Sequence, residues 1–370
     1  MTATPQFGPD YIRAIAPYIA GKPISDVARE FGLDHEKIIK LASNENPLGI
    51  PPSARKAMEK EFAELGRYPD SNGFEFKRAI TAKYGVGDDW VTIGNGSNDV
   101  LDIAARAFVR NGESIVFSEY CFAVYPLAAQ SIGAIAKQVQ ALNYGHDLDG
   151  MLVAIDATTK LVFVANPNNP TGSWVSAEAL LAFLDKVPPH IVVVLDEAYT
   201  DYLPPELRYD SIPWTRRYPN LIVSRTMSKA YGLAGLRIGF AIANPVLTDL
   251  MNRVRQPFNV NSLAQAAAVA ALTDDAFLKK SYELNRAGYL QLTQAFERLG
   301  LFYVPSAGNF VLVKVGEDEQ ADVRVNLALL KQGVIVRPVG NYRLPRFLRI
   351  SIGLPEENAA CIAALEKALA

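Results

Sequence analysis

Cysteine is nearly absent from the chain. Its two copies, Cys121 and Cys361, are too few for a disulfide framework. Histidine is almost as rare. Its three copies, at positions 35, 146 and 190, lie too far apart to suggest a metal site. Neither sign of charge is in excess: 37 basic residues face 39 acidic ones, for a net charge of −2. That leaves no surplus to draw in nucleic acid or an anionic membrane, so neither is expected as a partner. No apolar run reaches the about 18 residues that a bilayer span needs. Residues 1–10 lack the basic start and apolar stretch of a signal peptide, so a cytoplasmic protein is expected. Repeats and low-complexity tracts are missing too.

What remains is an ordinary globular composition, 49% hydrophobic and 21% charged. A length of 370 residues suggests about two domains with a large core. Residues 114–118, 161–165, 191–195, 221–223 and 238–243 are continuous apolar runs, many of them β-branched. Such runs fit strands covered on both faces, as in parallel α/β sheets. Helical patterns separate them. Leu101, Ala104, Ala105 and Phe108 share one face, and Ser176 reads as an N-cap before Leu180, Leu181 and Leu184. The fold class expected is α/β: a large, doubly wound, mostly parallel sheet over residues 46–260. Residues 261–370 change character. A long helical pattern at 275–299 precedes short strand-like pieces at 310–315, 334–337 and 348–352, which suggests a smaller α+β domain. Residues 1–45 read as an arm that packs against the small domain.

Several loops after apolar runs carry residues suited to chemistry. Asn166-Pro-Asn-Asn-Pro-Thr-Gly172 favours exposed backbone at a strand's carboxyl end, where α/β sheets bind ligands, although alone it is also a plain turn. Asp196-Glu-Ala-Tyr199 ends another run. A carboxylate there needs a cation or donors, and a protonated ring nitrogen serves as well as a helix cap. Ser228-Lys229 follows the run at 221–226. A lysine at the mouth of an apolar sheet can lose its proton and act as a nucleophile, though most lysines are solvated surface groups. Arg237 lies eight residues on, and guanidinium matches phosphate by paired hydrogen bonds. Gly94-Asn-Gly-Ser-Asn98 opens a helix, where backbone amides favour an anion; Ser97 alone is also a simple N-cap. Taken in order, these are the parts that pyridoxal 5′-phosphate needs: an amine, a carboxylate for the pyridine nitrogen, a phenol and phosphate donors.

With these motifs in hand, the chain resembles the class I/II, fold-type-I pyridoxal-phosphate aminotransferases, and among them the histidinol-phosphate aminotransferase family. The resemblance covers essentially the whole chain. Beyond the motifs above, it rests on Leu41-Ala-Ser-Asn-Glu-Asn-Pro47, Arg67-Tyr-Pro-Asp70, Thr226-Met-Ser-Lys-Ala-Tyr-Gly-Leu-Ala-Gly-Leu-Arg237 and Leu348-Arg-Ile-Ser351. It implies that Lys229 is the Schiff-base lysine and proton shuttle, and that Asp196 pairs with the pyridine nitrogen. Tyr199 and Asn169 would bond the ring oxygen, Phe122 would stack on the ring, and Ser97, Asn98, Thr226, Ser228 and Arg237 would hold the phosphate. It also implies a homodimer with shared sites, in which Tyr68 reaches the coenzyme phosphate of the other subunit. Arg349 and Arg337 match substrate-anion ligands, with Tyr18, Asn46 and Phe258 as further substrate-side candidates. The activity implied is transamination between histidinol phosphate and 2-oxoglutarate in histidine biosynthesis. The alternatives on the same scaffold are an aromatic or dual-specificity aminotransferase and a threonine-phosphate decarboxylase-like lyase. A coenzyme-sensing regulator would need a DNA-binding module, and the first 45 residues show no helix-turn-helix pattern.

Overall fold

A computed structural model describes residues 7–17 and 21–370. In chain order its strands are β1 (Ile39–Lys40), β2 (Val91–Gly94), β3 (Ser114–Ser118), β4 (Ile135–Val139), β5 (Thr159–Ala165), β6 (Val192–Asp196) and β7 (Leu221–Thr226). They continue as β8 (Gly239–Ala243), β9 (Tyr303–Val304), β10 (Phe310–Lys314), β11 (Val334–Ile335), β12 (Arg337–Pro338) and β13 (Phe347–Ser351).

Seven strands form one sheet in the order β2-β8-β7-β6-β5-β3-β4. Pairings from β4 through β7 are parallel, whereas β8 lies antiparallel to both β7 and β2. Alternate residues of the apolar runs face opposite sides. Val162, Val164, Val193 and Leu195 join one core, and Leu161, Phe163, Val192 and Val194 join the other. Both faces are therefore covered, which is why these strands show no polar alternation. Burying a side chain such as Phe163 contributes about 1.5–3 kcal/mol. The fold is α/β, with a large, mostly parallel sheet clad in helices.

The direction of β8 is the main departure from the periodicity reading. Its run looks like its parallel neighbours, but a parallel crossover needs a helix or an equally long return. The segment between β7 and β8 contains only the short 3-10 turn Ala234–Leu236, and the chain doubles back. The edge strand β4 escaped notice because its side chains are largely exposed and polar residues interrupt it.

A second sheet, β12-β13-β10-β9, is antiparallel. Its core draws on Leu292 and Phe296 from the long helix Asp275–Arg298, on Leu329, and on Cys361 and Leu365 from the helix Pro355–Leu369. The N-terminal segment reaches this body as well. β1 pairs in parallel with β11, and Val27 shares a core with Leu330 and Ile335. Ser176 caps its helix as its position suggests: its Oγ accepts from the Ala179 N–H at 3.2 Å. Among the described residues, no helix is long and apolar enough to cross a membrane.

Candidate active site

β2, β5, β6 and β7 run in one direction and deliver their carboxyl ends to the same edge of the large sheet. Because β8 runs the other way, residues just before it reach that edge too. A cavity of about 200 Å³ opens there. Its wall includes Ser97 and Asn98 after β2, Phe122 after β3, Asn169 after β5, Asp196 and Tyr199 after β6, and Thr226, Ser228 and Lys229 after β7. Arg237, ahead of β8, completes that side. Arg337 and Arg349 of the second sheet close the other.

Asp196 is 4% exposed and sits at the last position of β6. Burial pushes its carboxyl up to about 6. Two donors oppose that push: Tyr125 Oη at 2.8 Å and the Ala198 N–H at 3.3 Å. Lys229 Nζ donates to the Ser43 carbonyl at 3.2 Å and lies 5.8 Å from the Tyr199 ring centre. Burial pulls its ammonium down to about 8, and the Arg349 guanidinium acts in the same direction. An amine so placed is partly neutral near physiological pH and can attack a carbonyl carbon. The Tyr199 phenol is pushed up to about 12, chiefly by burial, and its Oη accepts from Asn44 Nδ2 at 3.0 Å.

The anion end of the cavity is built from close approaches. Arg237 Nη1 lies 3.4 Å from Ser228 Oγ, and the Ser228 N–H donates to Thr226 Oγ1 at 3.1 Å. The φ of Gly96 is +84°, and a Cβ there would meet the Arg237 guanidinium at 2.3 Å. A Cβ on Gly239 would lie 2.5 Å from the Ser97 nitrogen. Only glycine leaves room for the helix start Ser97–Phe108 to sit beside this arginine. On the opposite wall, Arg349 Nη1 donates to Asn169 Oδ1 at 2.5 Å and Nη2 to the Ala42 carbonyl at 2.8 Å. Arg337 and Arg349 are direct partners across β12 and β13, and both are buried.

This donor set fits pyridoxal 5′-phosphate. The cup of hydroxyls, helix start and Arg237 suits a phosphate, and the Asp196 carboxylate suits a ring nitrogen that carries a proton. Asn169 and Tyr199 suit a ring hydroxyl, Phe122 suits a ring face, and the Lys229 amine suits an aldehyde.

Comparison with known proteins points to the same coenzyme. The family model described as aminotransferase class I and II matches residues 36–365. The chain belongs to the class I and II aminotransferases. It is 68% identical over 365 residues to histidinol-phosphate aminotransferase 2 of Ralstonia nicotianae, covering 99% of this chain and 98% of that one. It is 69% identical over 363 residues to histidinol-phosphate aminotransferase 1 of Cupriavidus pinatubonensis, covering 98% and 96%. The solved histidinol-phosphate aminotransferase of Sinorhizobium meliloti, in complex with pyridoxal-5′-phosphate, superposes with a TM-score of 0.90. It is 29% identical and covers 100% of this chain and 98% of that one.

Not every residue singled out in the sequence reaches the cavity of this aminotransferase. Asn46 turns away from it: its Nδ2 donates to the Ala230 carbonyl at 2.9 Å and to Ser281 Oγ at 2.8 Å. Tyr68 is 82% exposed and stacks on Phe258 at 4.7 Å, outside the cavity of its own chain. Tyr18 lies outside the described residues. Conversely, Ser43, Asn44 and Tyr342 line the wall and were passed over in the sequence. Asn44 stands inside the Leu41–Pro47 motif, so a signal was present but was assigned to its neighbour two places on.

Proposed function

We propose that the chain transfers the amino group of L-histidinol phosphate to 2-oxoglutarate, as a pyridoxal-phosphate-dependent step of histidine biosynthesis. The observation that carries the substrate assignment is the register pairing of Arg337 with Arg349. It sets two guanidinium charges side by side on one wall of the cavity. A phosphate monoester, close to doubly charged at neutral pH, matches two adjacent arginines better than one carboxylate does. The relatives named above, at 68% and 69% identity, support the same reading.

When bound, the coenzyme supplies an electron sink for the substrate's Cα–H bond. The protein's own residues supply the rest. Lys229 first holds the coenzyme. Once the incoming amine displaced it, its Nζ would take the substrate's Cα proton as a base and deliver it as an acid to the C4′ carbon that the lysine had held. Asp196 holds the proton on the ring nitrogen. Asn169 and Tyr199 orient the ring hydroxyl, Phe122 packs on the ring face, and Ser97, Asn98, Thr226, Ser228 and Arg237 hold the phosphate. Arg337 and Arg349 orient the anionic end of the substrate.

The working form in this reading is a cytoplasmic homodimer. The exposed Tyr68–Phe258 stack supports it, because two large aromatic rings left open on one chain suit a neighbouring subunit. The reading also divides the chain into an arm (1–45), a coenzyme domain (46–260) and a smaller domain (261–370). The packing of the arm's Val27 with Leu330 and Ile335 supports this division.

Single half-reactions followed by coenzyme absorbance test the substrate assignment. Histidinol phosphate should convert the enzyme rapidly to its amino form, and L-phenylalanine and L-tyrosine slowly. Arg337→Gln should slow the histidinol phosphate reaction by about 10- to 100-fold, the loss expected for one charge-assisted contact, and affect phenylalanine far less. Equal or faster conversion of the aromatic acids by the parent enzyme would make it an aromatic aminotransferase instead.

A further inference from the structure

Behind Asp196, on the side away from the cavity mouth, stands a side chain the reaction scheme does not use. Tyr125 lies in the helix Val124–Ser131 and is fully buried. Its ring lies flat on Phe163 of β5, with centroids 4.5 Å apart and planes 8° from parallel. It meets Phe122 edge-on at 6.1 Å and Phe117 at 6.5 Å. A ring with only these contacts gains nothing from a hydroxyl, which would lose its water on burial. Among the described residues the hydroxyl has one hydrogen-bond partner: Tyr125 Oη donates to Asp196 Oδ2 at 2.8 Å.

That bond matters because Asp196 has little else. Its other oxygen accepts the Ala198 N–H at 3.3 Å, and the charge nearest along the chain is the Glu197 carboxylate, which repels it. The other titratable groups around the pair are Cys121, at the turn before the helix, and Tyr199, beyond β6. Burial pushes both up to about 12, so neither brings charge at working pH. Lys229 and Arg237 line the same side of the cavity as Asp196, and Arg337 and Arg349 the other. Burial and the neighbouring carboxylate hold the Tyr125 phenol itself far above its ordinary range, so it stays a donor throughout. A permanent donor at 2.8 Å favours the ionised form of its acceptor.

We propose that Tyr125 is the positioning residue that keeps Asp196 ionised and aimed into the coenzyme site, while its ring braces Phe122 at the coenzyme face. One side chain then sets both the edge partner and the face partner of the ring. The role rests on the coenzyme reading given above, so the test separates the two.

Two variants divide hydroxyl from packing. Tyr125→Phe removes only the hydroxyl. Phe163→Leu removes the stacked ring and leaves the hydroxyl in place. The first readout needs no coenzyme: the full chain, stripped of coenzyme and labelled with carboxyl-¹³C aspartate, is titrated by NMR, with Asp196→Asn assigning the signal. In Tyr125→Phe the Asp196 midpoint should rise by about one to two pH units, the size expected for losing a hydrogen bond to a charged group. In Phe163→Leu it should stay close to the parent value. An unmoved midpoint in Tyr125→Phe, or equal shifts in both variants, overturns the proposal.

The second readout uses protein loaded with ring-¹⁵N pyridoxal phosphate. Tyr125→Phe should move the ring-nitrogen signal toward its unprotonated position. It should also lower kcat roughly tenfold with little change in KM, because one pH unit of proton affinity is tenfold in occupancy. A shifted carboxyl midpoint with an unshifted ring nitrogen overturns the positioning role. Failure of the parent chain to take up the coenzyme overturns the functional reading and the role together, while the first titration still reports the Tyr125–Asp196 bond itself.

Discussion

Replacing Arg225 with methionine strands a carboxylate in the core. Glu197 directly follows Asp196, and its N–H is tied to the Ser224 carbonyl at 2.9 Å, so it cannot swing out to water. Its side chain is fully shielded, that of Arg225 is 12% exposed, and Arg225 Nη2 lies 2.7 Å from Glu197 Oε2. Burial raises the affinity of Glu197 for a proton, and the guanidinium opposes that rise. Removing one member of such a pair costs about 3–5 kcal/mol, mostly as the penalty of an unpaired buried charge. Unfolding entropy is about 2.1 cal/mol/K per residue, so a 370-residue chain that unfolds as one unit loses about 4–6 °C in Tm. Scanning calorimetry of Arg225→Met, Glu197→Met and the double variant at pH 8 checks this figure. The double variant should recover part of the loss, since Glu197 no longer leaves an unpaired charge, while Asp201, whose buried carboxyl Arg225 also steadies, still loses that guanidinium.

The effect of pH has a definite sign. In Arg225→Met, the Glu197 carboxyl has a folded-state pKa raised further above its unfolded value. Its protonated form is favoured in the fold, a contribution that is complete below the unfolded pKa and is lost as pH rises through the folded one. The deficit of Arg225→Met should therefore shrink between pH 8 and pH 5.5. A single variant within 1 °C of the parent, on a scale where about 4–6 °C is expected, would refute the reasoning. So would a double variant that loses the sum of the two singles.

Three further outcomes follow from the site. Coenzyme uptake by stripped protein should speed up as pH rises through about 8 and then level off, because the neutral Lys229 amine is the reactive form; stopped-flow absorbance that keeps rising to pH 10 would contradict the buried amine. Lys229→Ala should still bind coenzyme but lose transamination, and substantial turnover without added amine, in a product assay, would remove Lys229 from its role. Gly239→Ala places a methyl 2.5 Å from the Ser97 nitrogen, so the helix start must shift; coenzyme retention on gel filtration should fall by about tenfold or more, the loss expected for one or two displaced phosphate contacts.

Much of this site could be read from local sequence because β-strands end where their apolar runs end. Asp196, Asn169 and Lys229 each stand just past such a run, so position along the chain already predicted position at the sheet edge. Asn44 and Asn46 were confused for a geometric reason. In an extended segment, residues two apart point the same way, but Asn44 has φ +53° and bends the chain. After the bend, Asn46 faces Ala230 and Ser281 instead of the cavity. Tyr125 and Asp196 are 71 positions apart, and no spacing rule links a helix residue to a strand end in another unit. The antiparallel β8 left a weaker trace, in a return with two glycines and too little helix to cross the sheet.

The segment around Asn44 has a consequence for how the enzyme is made. Its N–H donates to Ser351 Oγ, 307 positions away, and Ser351 Oγ donates back to Asn44 Oδ1. Synthesis starts at the other end of that distance. When β8 has left the ribosome, Asp196, Lys229 and Arg237 are already present, while Arg337 and Arg349 do not yet exist. A nascent chain at that stage has the coenzyme half of its cleft and nothing to choose a substrate with. Residues 39–44, made early, must wait for residues 334–351 before they find their partners. Loss of the final strand would therefore cut away one arginine and, in the same stroke, the Ser351 hydroxyl that holds Asn44.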